Sequence, residues 1–122
     1  MPYLRFFSVV TISVLAAFPV NADDPDHFHG LKSNTLEESI SNISVYNNKL
    51  EELLTGELSP SAMGQIHQLT YTLENALARL ENSIDEIEET LEKVHKGSER
   101  ADTATVKSEG KKYLTETRKI IK

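Results

Sequence analysis

The chain is 122 residues long, 26% charged, carries a net charge of −6 and contains no cysteine. Without cysteine it has no disulfide, thiolate metal site, thioether-linked haem or lipoprotein anchor. An acidic chain also lacks the basic face through which nucleic-acid binders release counterions, so no nucleic-acid partner is expected.

The chain opens with the three-part layout of a secretory signal peptide. Met1–Arg5 carries one positive side chain, Phe6–Phe18 is almost unbroken apolar sequence, and Pro19 precedes Val20-Asn21-Ala22. Cleavage is predicted after Ala22, leaving 23–122 as the mature protein. The apolar run is too short to cross ~30 Å of hydrocarbon as a helix. No stable membrane insertion is therefore expected once the signal is removed. Export without disulfides points to a bacterial periplasm. The charge of the remainder is uneven: residues 23–92 hold 3 basic and 15 acidic side chains, and residues 93–122 hold 9 and 4. The basic end is expected to pack beside the acidic stretch Asp85–Glu92.

Residues 23–33 are polar, with Pro25 and Gly30, and predict a flexible acidic arm containing His27 and His29. Residues 34–122 form the helical domain. The first helix is predicted over Thr35–Leu54, with capping-box spacing between Thr35 and Glu38 and Gly56 placed for a left-handed C-cap. Its apolar series is Leu36, Ile40, Ile43, Leu50 and Leu54, interrupted at Asn47. The second helix starts at Ser59-Pro60 and runs to about residue 96, ending at Gly97. Its a and d positions are Met63, Ile66, Thr70, Leu73, Leu77, Leu80, Ile84, Ile87, Leu91 and Val94. That is a heptad stripe with one polar member. Its g positions are mostly small: Ala62, Ala76, Ser83, Thr90 and Gly97. The third helix is predicted over Thr103–Ile121, capped by Asp102, with the stripe Val106, Gly110, Tyr113, Thr117 and Ile120.

These elements define an all-α fold. A long central helix, about 60–96, is flanked by two shorter antiparallel helices in coiled-coil-like or four-helix-bundle packing. Two helices at any level bury little surface. Either the long helix breaks near Asn82-Ser83 to give a compact bundle, or it stays whole and two chains pair. The unbroken helix in a homodimer is the favoured architecture.

Candidate chemistry is sparse. His27 and His29, beside Asp23, Asp24 and Asp26, suit a transition metal. His67 and His95 lie four heptads apart. In an antiparallel dimer, His67, Asn47, Thr70 and the partner's His95 fall at one level. This predicts a polar core layer that either fixes register or holds a metal. Glu92-x-x-His95 is one copy of the element found in helical di-iron sites. A b-type haem would need an axial ligand such as Met63 and the space beside Gly110. No Gly-x-Ser-x-Gly elbow or Gly-rich phosphate loop is present. A non-catalytic protein without a cofactor, binding itself or a protein partner, is therefore expected. A metal- or haem-binding bundle is the alternative.

The segment from His27-Phe28 through Leu54, the run Gln68-Leu69-Thr70-Tyr71-Thr72-Leu73-Glu74-Asn75 and the turn Ser98-Glu99-Arg100-Ala101-Asp102 resemble a family of small exported proteobacterial helical proteins of unknown function. The resemblance covers nearly all of residues 23–122. It implies a helical fold and an extracytoplasmic location, and no mechanism. The chain is also faintly similar to the soluble four-helix periplasmic cytochromes. It lacks the Cys-x-x-Cys-His of their c-type members and the early methionine of their b-type members. Likeness of fold alone carries no function.

Overall fold

The computed structural model describes residues 28–122, so the expected signal segment 1–22, its cleavage point and His27 lie outside the described residues. The described chain forms three helices: α1 (Leu36–Thr55), α2 (Pro60–Glu99) and α3 (Thr103–Ile120). It contains no strand among the described residues.

Each helix begins where a side chain satisfies a free amide. Thr35 Oγ1 accepts from the Glu38 amide at 3.1 Å, while Glu38 Oε2 accepts from the Asn34 amide at 2.7 Å. Ser59 Oγ accepts from the Ala62 amide at 3.2 Å, with Pro60 in the first turn. Asp102 accepts from both the amide and the hydroxyl of Thr105, at 3.1 and 2.7 Å. These bonds, the hydroxyl's first, hold the Asp102 carboxyl below its ordinary range.

Helix ends depart from expectation. Gly56 has φ −92°, extended rather than left-handed. Gly97 does not terminate α2, which continues to Glu99. The chain reverses two residues later, where Ala101 adopts φ 53°. The Ala101 amide donates to Ser98 O at 3.1 Å and the Asp102 amide to Gly97 O at 2.9 Å, the paired bonds of a Schellman motif. Gly97 is buried inside the helix. A Cβ there would lie 3.2 Å from Thr105 and Val106 side-chain carbons, so its bareness serves close approach of α3.

α2 is unbroken over 40 residues, about 60 Å at ~1.5 Å per residue. No break occurs at Asn82-Ser83. α1 lies along its first half and α3 along its second. Leu53 shares a cleft with Ala62 and Gln65, and Leu36 shares another with Ser83 and Ile87. α1 and α3 meet end to end, where Lys119 Nζ lies 2.7 Å from Glu37 Oε1. The molecule is thus two helices thick along most of α2, and three helices converge near its middle.

The seam on α2 is rotated from the expected stripe. Buried positions recur every seven residues at Ala62, Leu69, Ala76, Ser83, Thr90 and Gly97, joined by Thr72 and Ile87. The rest of the d row, Ile66, Leu73, Leu80 and Val94, is half-buried. The expected a row is not in the core: Met63 is 52% exposed, Leu77 54%, Ile84 42% and Leu91 45%. Small side chains let two helix backbones come close, and dense packing favours that side. Two of the buried hydroxyls bond to their own helix: Ser83 Oγ donates to Arg79 O at 3.0 Å and Thr90 Oγ1 to Glu86 O at 2.9 Å. α1 shifts likewise. Ser39 is buried and Tyr46 and Leu53 are half-buried, whereas Asn47 and Leu54 are exposed.

Ala101 bears a Cβ where the backbone is left-handed, a conformation that favours glycine. Ala101→Gly is expected to stabilise the protein by about 0.5–1 kcal/mol. Thermal unfolding followed by circular dichroism measures this, and an unchanged or lowered midpoint would contradict the assignment.

Candidate functional site

The two flanks of this helical layer differ in character. One flank is polar and partly covered. Residues 28–33 run across it outside any helix and are docked on α2. The Leu31 amide donates to Thr72 Oγ1 at 3.0 Å, and Asn75 Nδ2 donates to His29 O at 2.8 Å and Leu31 O at 3.1 Å. Phe28 packs edge-on to Tyr71, with ring centroids 6.4 Å apart. Gly30, at φ +69°, sits so close that a Cβ would lie 2.6 Å from Thr72 N. The segment expected to be a free arm is thus held from Phe28 onward.

Two clefts open on this flank. One, of about 500 Å³, lies between the end of α1 and the start of α2 and is lined by Phe28, Tyr46, Lys49, Leu53, Gln65 and Leu69. Lys49 Nζ stands 4.2 Å from the centroid of the Tyr46 ring. The other, also about 500 Å³, lies where the three helices converge and holds Arg79, Glu86, Glu89, Lys93, Lys112 and Glu116. One basic side chain of α3, Lys112, shares it with Glu86 and Glu89 of the acidic stretch Asp85–Glu92. Arg79 pairs with Glu86 at 3.3 Å, leaving Arg79 Nε buried without a partner in the described chain. Lys119 bonds Glu116 at 2.8 Å as well as Glu37, and the two carboxylates raise its pKa. The Lys119 hydrogen bond in turn lowers that of Glu37.

The opposite flank is apolar and uncovered among the described residues. Met63, Leu77, Ile84 and Leu91 form one exposed row along α2, about 42 Å from first to last at ~1.5 Å per residue, with half-buried Thr70 between the first two. Leu54 of α1 is 57% exposed and follows the contact residue Leu53, so helical spacing sets it on the same edge. Among the described residues, the buried apolar set is small by comparison: Leu36, Ala62, Leu69, Ala76 and Ile87.

Among the described residues, the histidines expected to bind metal, His29, His67 and His95, are not brought together. His29 is exposed at the docked arm, and His67 and His95 are exposed 28 residues apart on α2. His67 Nε2 lies 3.3 Å from Tyr71 Oη, and His95 lies 3.4 Å from Glu99. Among the described residues no group of three or more His, Cys, Asp or Glu stands close enough to hold a metal ion. The polar layer of Asn47, His67 and Thr70 is not assembled in one chain. Asn47 and His67 face outward, and Thr70 Oγ1 donates to His67 O of its own helix at 2.7 Å. Glu92 pairs with Lys96 at 3.0 Å, which lowers its pKa. Of the residues considered for haem, Met63 is on the exposed row and Gly110 has no atom within 4 Å of a would-be Cβ. Sequence reasoning missed Thr72 and Asn75 as the dock for the arm. Their only signal was a polar pair three residues apart beside the apolar stripe.

Together these features define an all-α protein of three helices built on one long helix, and no helix among the described residues is long and apolar enough to cross a membrane. The chain belongs to DUF6746, a family of unknown function, whose model matches residues 1–122. No curated protein and no solved structure matches it. Two of the segments that carried the resemblance, at Phe28 and at Gln68–Asn75, contact each other in the fold.

Gly30→Ala is expected to release the arm and leave the helices intact. Hydrogen exchange at the Leu31 amide should rise while helical ellipticity holds. Retained protection would mean the dock tolerates a side chain. The Glu37–Lys119 pair sets a pH window. The lowered Glu37 pKa means its contribution is full above the ordinary glutamate range, about 4.3, and is lost as pH falls through the folded value. The raised Lys119 pKa means its share is lost only as pH rises past the ordinary lysine range. Glu37→Gln at neutral pH and acidification of the wild type are therefore expected to loosen the same last turn of α3. Amide exchange at Arg118–Ile120 measures both, and an effect of only one would contradict the pairing.

Proposed function

We propose that this is an exported, non-catalytic binding protein that works by holding another protein surface against its apolar flank. The observation that carries the reading is the exposed row Met63, Leu77, Ile84 and Leu91, which runs over most of α2 and is larger in side-chain volume than the buried row beside it. Exposed apolar surface of this extent marks interaction sites. Leu54 widens it toward α1. Export is supported by the apolar run Phe6–Phe18 followed by Pro19 and Val20-Asn21-Ala22. The non-catalytic reading is supported by the separation of the described histidines and by the pairing of Glu37, Glu92 and Asp102 within the chain. These carboxylates are all shifted toward the ionised form, the opposite of a group poised as a general acid.

Photo-cross-linking in cells tests the binding reading. A benzophenone side chain placed at Leu77 or Leu91 is expected to give protein adducts. One placed at Val45, exposed on α1 away from the apolar flank, is expected to give none. Equal yield at all three positions, or none at Leu77 and Leu91, would sink the reading. Export is checked separately by fractionation and N-terminal sequencing. A periplasmic chain beginning at Asp23 is expected, and a cytoplasmic chain retaining residues 1–22 would overturn it.

A further inference from the structure

We infer that the occupant of the apolar flank is a second copy of this chain, laid antiparallel so that α1 of each copy rests on α3 of the other. The inference rests on the reading of that flank as a binding face.

Three observations point to this occupant. The first is size. The flank runs the length of α2, about 60 Å, and is two helices wide, about 20 Å. Covering it removes on the order of 1,000 Å² from each copy, the scale of a stable protein–protein interface. The second is that the other flank is crossed by the arm and the ion pairs and cut by two clefts, so it offers no continuous face, and association through the open side closes with a single copy. Closed association of this kind requires a self-complementary face.

The third is the way charge and apolar surface are laid out. α1 holds Glu37, Glu38, Glu51 and Glu52 against Lys49, a net of −3, and α3 holds five basic and two acidic side chains, a net of +3. A twofold axis lying in the interface across the helices sets α2 on the partner's α2, α1 on the partner's α3, and α3 on the partner's α1. Each acidic helix then faces a basic one. Glu51 lies three residues before Leu54, on the same edge of α1, and Lys107 lies seven before the exposed Leu114 on α3. With the axis near the middle of α2, Glu51 comes opposite the partner's Lys107. At that level the apolar contact comes from Leu54 and Met63, both exposed in the single chain. The same axis lays the apolar row of α2 on its own copy. A twofold axis along the helices would instead lay that row on the partner's α1 and α3. There the exposed Leu54 and Leu114 stand among Asn47, Glu51, Lys107 and Arg118, so the row would leave water for a surface more polar than itself. Burial of apolar area therefore selects the antiparallel arrangement.

The chain has no native cysteine, so one spin label at Met63→Cys reports orientation cleanly. Sedimentation of the full chain purified from cells is expected to give twice the chain mass. Labels at Met63 are expected about 50 Å apart, whereas parallel pairing brings them within about 20 Å. Glu51→Lys and Lys107→Glu are each expected to weaken association by about three- to tenfold, and the two together to recover it. A short label separation, or a double variant no tighter than either single one, overturns the arrangement. A monomer at micromolar concentration whose Leu77 cross-links to a different protein overturns self-association and leaves the binding reading standing. Loss of every adduct at Leu77 removes both.

Discussion

The fold depends on how closely two helices can approach the small-residue side of α2. Ala62, Ala76, Ser83, Thr90 and Gly97 share one row of period seven, with Leu69 filling the remaining place. A short side chain leaves room for the neighbouring backbone, and each close contact adds dispersion on both sides. The hydroxyls do not spoil the seam, because Ser83 and Thr90 turn them onto carbonyls of their own helix. Once α1 and α3 settle there, the larger row one residue further round has no partner among the described residues. The closeness of the seam and the openness of the apolar flank therefore have one cause.

The three helices and most of their starts are legible in the residues themselves. Ser59-Pro60, Thr35 with Glu38, and Asp102 three residues before Thr105 each leave a chemical signature that local structure obeys. The heptad period of α2 is equally plain. What periodicity does not say is which of three adjacent rows meets the rest of the chain. The rows g, d and a are contiguous on the helix, and the apolar content of a and d makes them the natural choice. Backbone proximity decided otherwise, a tertiary effect that hydrophobicity does not encode. The same rotation turned Asn47 and His67 outward from the single chain. Gly97 misleads for a related reason: a glycine near a helix end reads as a stop, but here it is a contact, and Ala101 takes the left-handed turn. The docking of Gly30 on Thr72 joins residues about forty positions apart, which no local pattern announces.

The contrast between the flanks also gives the charges a role beyond solubility. Many are engaged within the chain: Arg79 with Glu86, Lys119 with Glu116 and Glu37, Lys96 with Glu92. Such pairs are individually weak in water, but those of Arg79 and Lys119 occupy the polar flank and close the junction of α1 with α3. The net excess, negative on α1 and positive on α3, stays available to orient whatever covers the other side.

An unbroken α2 has a mechanical consequence. α1 and α3 scarcely meet, so each end of the rod is packed by a different neighbour, and the two ends communicate through one helix and the Glu37–Lys119 contact. Such an assembly behaves less like a globule with one cooperative melting event than like two short zippers sharing a spine, each able to fray while the other holds.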